Sequence, residues 1–255
     1  MKFLRFKTKD GNHYGILEGD IIYQVEGSIY GDYKESGKTY KRSEVKLLPP
    51  CEPTKIFCIG SNYISHIQEM GWAMPEVPAS FMKPITCMVA SGDYIDVPKI
   101  ATRVDYEGEV AIVVKDLVRN VTAEDAKKHI LGVAASNDVT ERDMVKAPLQ
   151  LTFGKSFDTF CPIGPFIDTE VDPDNTTVRT YLNGKLVQEG ETAKTVFCPS
   201  KLLAFLSQAI TFYPGDVILT GTPGNVLPIK EGDTVEIEVG GMGERLSNPV
   251  RNAKN

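Results

Sequence analysis

Short strand-like runs separated by turn residues dominate this sequence, and they constrain its fold more than any other feature. From Lys2 to about Val25, alternating residues are interrupted by "KDGN" and "EGD", turn sequences that join antiparallel strands. Asn183-Gly184, within "VRTYLNGKLVQ", is the strongest short hairpin signal. With only three or four short helices among many strands, the pattern predicts a β-rich α+β fold rather than a doubly wound sheet.

One predicted short helix carries two residues that could act together. "SNYISHIQEMG" has polar Ser61 and Asn62 at its start and Gly71 just past its end, which are helix start and stop signals. Within that helix, His66 and Glu69 are three residues apart and therefore share one face. A lone histidine on a short helix is more often a surface or core residue than a catalyst, but a neighbouring carboxylate would orient the imidazole and raise its basicity.

Two further helices are predicted later in the chain. "TAEDAKKHILG" has Thr122 and Asp125 in a capping-box pattern, with Gly132 as the stop signal. "SKLLAFLSQAI" follows Pro199. The rest of the chain is interpreted as strands and turns.

A proline-rich segment predicts a domain boundary. A polar stretch from Gly27 to Glu44 leads into "LLPPCEP", where prolines remove hydrogen-bond donors and hold the chain extended. With the boundary near Pro50 to Pro53, residues 1–52 form a small N-terminal β domain and residues 53–255 form the main domain.

The charge distribution argues against some classes of partner. The formal net charge is -6, and the lysines and arginines are scattered, so no basic face is available for nucleic acid or anionic lipid. The start of the chain has no apolar stretch of signal-peptide length, and the longest apolar runs, such as "VAIVV", are too short to span a membrane. We therefore expect a cytoplasmic protein with no membrane partner.

Two glutamates precede a strand that should be buried. In "RVDYEGEVAIVVKD", Glu107 and Glu109 are two residues apart, so in a strand they point to the same face, with Cα atoms roughly 6.5 Å apart. Two buried carboxylates repel each other unless a cation or a shared proton is present. The alternative is an edge strand whose glutamate face is solvated.

A third carboxylate follows another apolar run. "ILGVAASNDVTERD" ends in Asn137-Asp138, which places Asp138 at the tip of a probable strand. Three carboxylates suit Mg²⁺ or Mn²⁺ and leave coordination positions open for a chelating substrate. The sequence thus predicts a metal site formed by Glu107, Glu109 and Asp138.

Candidate substrate-binding residues lie near these motifs. Arg142 is four residues after Asp138, on the same side of a helical turn, where it could bind a substrate carboxylate or simply form a structural salt bridge. In "TGTPGNV", Gly221 and Thr222 could supply a backbone N–H group and a hydroxyl to a carboxylate or oxyanion, or form only a turn.

Several motifs together resemble one known family. "SHIQEM", "DYEGE", "NDVTERD", "GKSFDTFCPIGP" and "PGDVILTGTPGNV" are similar to motifs of the fumarylacetoacetate hydrolase superfamily, over about residues 53 to 250. The resemblance is to its bacterial and archaeal acylpyruvase and oxaloacetate decarboxylase-like members. It implies a mainly β fold built around a curled sheet or roll, usually a homodimer, with Mg²⁺ or Mn²⁺ held by Glu107, Glu109 and Asp138.

The same resemblance assigns catalytic roles. It implies that His66 and Glu69 lie on a mobile lid and act together on a water molecule, and that Lys155 of "GKSFD" points at the substrate near the metal. Relatives often have a glutamine where this chain has Val145, a difference that removes a polar substrate contact. The first 50 residues resemble a small N-terminal β-region found in many bacterial and archaeal members.

The resemblance, together with these residues, predicts a metal-dependent enzyme that acts on small 2-oxo acids. The expected reaction is hydrolysis of the C–C bond of acylpyruvates, such as fumarylpyruvate or acetylpyruvate, to pyruvate and a carboxylic acid. Alternatives are oxaloacetate decarboxylation, and isomerisation or decarboxylation of the 2-oxo dicarboxylates of aromatic catabolism. A metabolite-binding protein without catalytic activity is the non-enzymatic alternative.

Overall fold

A computed structural model describes residues 1–146 and 151–254, and most of its regular structure is β-strand. The strands of the first half are β1 Lys2–Thr8, β2 Gly11–Glu18, β3 Ile21–Gly27, β4 Tyr33–Lys41, β5 Lys46–Leu48, β6 Ile56–Gly60, β7 Ala79–Lys83, β8 Met88–Val89, β9 Ile95–Val97, β10 Val104–Asp105 and β11 Gly108–Val114. Those of the second half are β12 Ile130–Asn137, β13 Thr140–Glu141, β14 Cys161–Asp168, β15 Thr177–Leu182, β16 Lys185–Glu191, β17 Val217–Leu219, β18 Thr234–Val239 and β19 Arg245–Asn252.

The helices are short. They are α1 Ile64–Met70, α2 Ala123–Ala126, α3 Arg142–Lys146, α4 Leu151–Gly154 and α5 Pro199–Ser207. Single turns of 3₁₀-helix occupy Arg42–Glu44, Ile85–Cys87, Lys127–His129 and Thr192–Lys194. Within the described parts of the chain, no helix has the length and apolar character needed to cross a membrane.

Two sheets pack against each other. The larger has the order β4-β3-β2-β1-β14-β12-β11-β17-β6-β7, with β5 beside β1 and β8 beside β14. The smaller has the order β16-β15-β18-β19-β9. Most neighbouring strands are antiparallel, but β17 and β6 are parallel, so the larger sheet is mixed. This architecture confirms the predicted α+β, mainly β fold class.

Strand β11 lies inside the larger sheet, between β12 and β17. Its side chains alternate between two apolar cores: Val110, Ile112 and Val114 pack into one, and Ala111 and Val113 into the other. Burial on both faces explains the continuous apolar run in the sequence. It also rules out the alternative of a solvated edge strand for this segment.

The N-terminal strands continue the larger sheet. β1 pairs with β14, with Lys2 opposite Asp168, so hydrogen bonding runs unbroken from the N-terminal region into the main domain. β4 forms within the polar stretch from Gly27 to Glu44 and pairs with β3. The predicted boundary after residue 52 stays a prediction, and residues 147–150 and 255 of the predicted main domain lie outside the described ranges.

The predicted hairpin forms, and one predicted helix is shorter than expected. Asn183 and Gly184 connect β15 and β16 with φ of 53° and 78°, the left-handed values that such a turn needs. Thr122 caps α2 by accepting the N–H of Asp125, as its pattern indicates. The prediction that Gly132 ends this helix is wrong, because Gly132 lies in β12, where a Cβ would come within 2.4 Å of the Asp168 carbonyl oxygen.

Candidate metal centre and active site

Three buried carboxylates meet at the ends of neighbouring strands. Glu107 directly precedes β11 and Glu109 lies at its start, and Asp138 directly follows β12, which pairs with β11. The Asp138 N–H donates to the Glu107 carbonyl oxygen at 2.8 Å, which ties the two strand ends together. Carboxylate oxygens of the three residues lie within 4.8 Å of one another, and each side chain is almost fully buried. The structure therefore brings the three predicted metal ligands together.

Two cations balance the charge of Glu107. Arg142 Nη2 donates to its Oε1 at 2.7 Å, and Lys155 Nζ donates to its Oε2 at 2.7 Å. Burial acts to raise the pKa of Glu107, but Lys155 and Arg142 outweigh it and lower that pKa to about 2. Glu107 is consequently ionised at neutral pH.

Asp138 also lies between two cations. Lys155 Nζ donates to its Oδ2 at 2.7 Å, and Lys83 Nζ donates to its Oδ1 at 2.5 Å. Both lysines are buried; burial acts to lower their pKa, but the nearby carboxylates raise it above the ordinary value. Lys155 thus stays protonated in the centre of the cluster, and its predicted place beside a metal stays a prediction.

Glu109 has no such partner. Its Oε2 accepts the Gly221 N–H at 2.7 Å, but it forms no ion pair with a cationic side chain in the described ranges. Burial and the negative charges of Asp138 and Glu107 raise the pKa of Glu109 well above its ordinary value. A divalent cation would supply the missing positive charge, and three carboxylates are a donor set that suits Mg²⁺ or Mn²⁺.

The predicted dyad assembles on α1. His66 Nδ1 and Glu69 Oε2 are 3.4 Å apart, and Glu69 Oε2 also accepts the Asn225 N–H at 3.2 Å. His66 is mostly buried and packs against Trp72 with the two ring planes nearly perpendicular and the ring centroids 5.6 Å apart. Gly71, in the left-handed conformation with φ of 67°, ends the helix just before Trp72.

One cavity of about 740 Å³ joins the dyad to the carboxylates. Its wall includes His66 and Glu69 on one element, and Glu107, Glu109 and Asp138 on others. Its apolar lining includes Met70, Trp72, Phe81, Val145, Leu151 and Val226. Val145 therefore lines the same cavity as the dyad and the carboxylates.

Arg142 lines this cavity, but it is not positioned there by the helical turn that the sequence predicted. The chain between Asp138 and Arg142 forms strand β13 and not a helical turn, so the helical argument is wrong. Arg142 Nε donates to Asp105 Oδ2 at 2.9 Å, and its Nη2 is bound to Glu107. Arg142 thus forms the structural salt bridge that was its alternative interpretation, and its predicted contact with substrate stays a prediction.

The turn after β17 supports the carboxylates. The Gly221 N–H, expected to face substrate, instead donates to Glu109, and Gly221 does not line the cavity. Two facts explain the glycine: its φ is 98°, and a Cβ added at this position would lie 2.9 Å from the Asn62 Cβ. Thr222 does line the cavity, where its hydroxyl donates to the Gly108 carbonyl oxygen at 3.0 Å.

Sequence reasoning missed three charged residues of the site, which are Arg103, Asp105 and Lys83. Asp105, fully buried, accepts hydrogen bonds from both Arg103 and Arg142. Lys83, on β7, is fully buried and holds Asp138. Asp105 stands two residues before Glu107, so its same-face position was readable from the strand period. Lys83 offers no such signal, because a lone lysine is normally exposed.

Two family models match the sequence. Residues 55–251 match the family described as fumarylacetoacetate (FAA) hydrolase C-terminal, and residues 1–50 match the family described as Rv2993c-like, N-terminal. The first match alone covers more than half of the chain.

Named relatives and solved structures show the range of the family. The chain is 39% identical over 222 residues to human mitochondrial oxaloacetate tautomerase FAHD2A, covering 82% of this chain and 71% of the human protein. It superposes on a 2-hydroxyhepta-2,4-diene-1,7-dioate isomerase from Mycobacterium marinum with a TM-score of 0.92 and 36% identity, covering 100% of both chains. A maleylpyruvate hydrolase from Sphingobium sp. SYK-6 gives a TM-score of 0.82 and 26% identity, covering 99% of this chain and 100% of the other. With the family model and these relatives in agreement, this chain belongs to the fumarylacetoacetate hydrolase superfamily of enzymes.

Proposed function

We propose that this protein is a divalent-metal-dependent hydrolase that cleaves the C–C bond of acylpyruvates, giving pyruvate and a carboxylic acid. The observation that carries the proposal is the shared cavity, in which the His66–Glu69 pair and the cluster of Glu107, Glu109 and Asp138 line one space. A base beside a metal-binding cluster is the arrangement that activation of a water at a chelated substrate requires.

The metal centre would bind substrate and polarise it. Glu107, Glu109 and Asp138 would hold Mg²⁺ or Mn²⁺, which when bound withdraws charge from the carboxylate and 2-oxo oxygens of a chelating acid. Lys155, held cationic by Glu107 and Asp138, would stabilise the negative charge that develops on the pyruvate half.

The dyad would supply the proton transfers. Glu69, fixed by the Asn225 N–H, would orient His66 through Nδ1, which leaves Nε2 to take a proton from water. The water would then attack the distal carbonyl carbon, and the C–C bond would break toward the pyruvate carbon. Protonation of that carbon completes pyruvate, so His66 would return the proton that it took.

Proton transfer without hydrolysis is a second candidate. Two of the relatives named above are more than a third identical to this chain over the aligned residues, and they are described as a tautomerase of oxaloacetate and an isomerase of a 2-hydroxy-diene-dioate. In such a reaction His66 would move a proton at the carbon beside the 2-oxo group, and no water would attack. Oxaloacetate decarboxylation would use the same cluster but would not need the dyad's water.

The metal, the assembly and the location belong to the same proposal. The carboxylate donor set supports Mg²⁺ or Mn²⁺ as the ion. The family resemblance supports a homodimer, and the cytoplasmic location stays an expectation from the sequence.

Pyruvate release tests the proposal. Acetylpyruvate, fumarylpyruvate and oxaloacetate would each be supplied with excess Mg²⁺ and again after chelation, and oxaloacetate enol-to-keto conversion would be followed by ultraviolet absorbance. We expect metal-dependent pyruvate release from an acylpyruvate, lowered roughly 10²- to 10⁴-fold by His66→Ala, with Mg²⁺ affinity retained. His129→Ala is the matched control. His129 Nδ1 lies 2.6 Å from Asp116 Oδ1, and His129 does not line the cavity.

Each outcome selects one function. Pyruvate from oxaloacetate alone would indicate a decarboxylase. Acceleration of enol-to-keto conversion with no pyruvate would establish the second candidate and overturn the hydrolase. Binding of Mg²⁺ with no activity on any of these acids would overturn both.

A further inference from the structure

Seven charged side chains form a continuous row in which positive and negative charges alternate. In order, this charge row consists of Arg103, Asp105, Arg142, Glu107, Lys155, Asp138 and Lys83. Every neighbouring pair in it is joined by a hydrogen bond of 2.5 to 3.1 Å. Each carboxylate in the row therefore lies between two cations, and both ends of the row are cations.

The two ends lie in different surroundings. Lys83 is fully buried and donates to both Asp138 and the Val139 carbonyl oxygen. The Arg103 side chain is 44% exposed and lines the active-site cavity. Arg103 is consequently the member of the row that a ligand can reach most easily.

The guanidinium of Arg103 has one edge engaged. Its Nε and Nη2 donate to Asp105 Oδ1 at 2.9 Å and Oδ2 at 3.1 Å. This two-point contact directs the opposite edge, which carries Nη1, away from Asp105. Asp105 also accepts from Arg142, so this one carboxylate is shared by two guanidinium groups. Asp143 adds a second negative charge near Arg103.

The backbone holds the two arginines side by side. β10 pairs with β13, and beyond the pairing of Val104 with Glu141 the Arg142 N–H donates to the Arg103 carbonyl oxygen at 2.7 Å. The Arg103 N–H in turn donates to Glu141 Oε1 at 3.1 Å. These contacts fix the backbone of Arg103 at the cavity wall, on the side of Arg142 that is away from the three-carboxylate cluster.

We propose that Arg103 is a specificity-determining residue that binds the distal carboxylate of the substrate. A 2-oxo acid whose first carboxylate lies at the three-carboxylate cluster would extend along the charge row toward its accessible end, where a second carboxylate would meet the free edge of the guanidinium. A planar guanidinium binds a carboxylate through two parallel hydrogen bonds, which favours a dianionic substrate over one that ends in a methyl group. This inference rests on the proposed action on 2-oxo acids.

Binding of unreactive acids tests the assignment without requiring turnover. 2-Oxoglutarate and 2-oxopentanoate share the chelating end and chain length, and differ by a distal carboxylate against a methyl group. With Mg²⁺ present, calorimetry on wild type should show tighter binding of 2-oxoglutarate. Arg103→Met should weaken its binding about tenfold or more, and so reduce the preference over 2-oxopentanoate by the same factor.

Kinetics supply the second readout. The ratio of kcat/KM for fumarylpyruvate to that for acetylpyruvate should fall about tenfold or more in Arg103→Met, mainly through KM for fumarylpyruvate. Arg103→Lys keeps the positive charge but loses the planar group that donates two parallel hydrogen bonds. Its kcat/KM ratio should therefore lie between those of wild type and Arg103→Met. Because Asp105 keeps Arg142 in either variant, no buried carboxylate is left unpaired, and thermal melting would verify that each variant is folded.

Arg251→Met is the matched control. Arg251 holds Asp96 through the same Nε and Nη2 atoms and lies outside the cavity, so its replacement should leave both preferences unchanged. Equal binding of the two acids by wild type, or equal losses for both acids in Arg103→Met, would overturn the role of Arg103. Retained discrimination without hydrolysis would overturn only the hydrolase proposal, and failure of wild type to bind either acid would overturn both.

Discussion

At the scale of single residues, the two glutamates beside the start of β11 experience opposite electrostatic surroundings. Glu107 lies between Arg142 and Lys155, which lower its pKa to about 2, whereas Glu109 has a backbone N–H and two negative neighbours, and its pKa is raised well above 4.5. In the unfolded chain both carboxyl groups return to the ordinary pKa of 4.5. The same chemical group should therefore stabilise the metal-free fold at one position and destabilise it at the other.

The first prediction concerns Glu109→Gln in the absence of metal. Since the pKa of Glu109 is higher in the folded state, the folded protein binds more protons than the unfolded chain, and stability falls as pH rises from about 4.5 toward the raised pKa. Removing the carboxylate removes this loss. Melting in a chelator should show that Glu109→Gln is more stable than wild type at neutral pH, with the difference shrinking toward pH 4.5.

Glu107→Gln supplies the opposite control. The lowered pKa of Glu107 contributes stability that is present above about pH 4.5 and is lost as pH falls toward 2, so its removal should destabilise the protein at neutral pH by on the order of 3 kcal/mol. Both variants should bind Mg²⁺ and Mn²⁺ at least tenfold more weakly, as measured by calorimetry. A destabilised Glu109→Gln would contradict the unfavourable burial of the Glu109 carboxylate, and unchanged metal affinity in either variant would contradict the three-carboxylate centre.

At the scale of secondary structure elements, the end of α1 connects backbone conformation to the dyad. Gly71 takes the left-handed conformation at the helix end, and a Cβ there would have nothing within 4 Å. Its N–H donates to the Gln68 carbonyl oxygen, and the next N–H, of Trp72, donates to that of Ile67. Replacement of Gly71 therefore strains the backbone alone, without a steric clash.

The second prediction uses this property. Gly71→Ala should cost about 1 kcal/mol of backbone strain. This strain should loosen the helix end, which carries Glu69 and precedes Trp72, the residue whose ring packs on His66. We expect turnover to fall several-fold. Gly19→Ala is matched, because Gly19 has φ of 57° and open space at its Cβ but lies in the β2–β3 turn. Equal turnover in the two variants would show that the helix end does not affect catalysis.

The same scale shows what the sequence could and could not predict. Period-two alternation placed Glu107 and Glu109 on one face, and the Asn183-Gly184 pair predicted its hairpin, because both signals are local in the chain. The partners of Asp138 were not predictable in this way, since Lys83 reaches it from a strand 55 residues earlier. Gly132 was misassigned as a helix stop because its close approach to Asp168 becomes visible only once β12 and β14 pair.

At the scale of the whole molecule, one edge of the larger sheet is apolar and accessible. β7 is the last strand at that end, and Met82 on it is 43% exposed. Ile85, just after β7, is 52% exposed. Large apolar side chains that share a region of a protein surface favour association. We propose that the homodimer implied by the family resemblance has its contact at this edge.

The third prediction tests that assembly. Light scattering on the purified protein should give about twice the 28.1 kDa mass of the chain. Met82→Glu should shift the mass toward that of one chain, because a charge buried in an apolar interface has no partner to offset its desolvation. Ile100→Glu is the control, since Ile100 is 60% exposed and lies outside β7 and its neighbours. A wild-type mass of one chain would refute the dimer, whereas a dimeric Met82→Glu would refute only the placement of its contact, and an effect of Ile100→Glu as large as that of Met82→Glu would move the contact to another face.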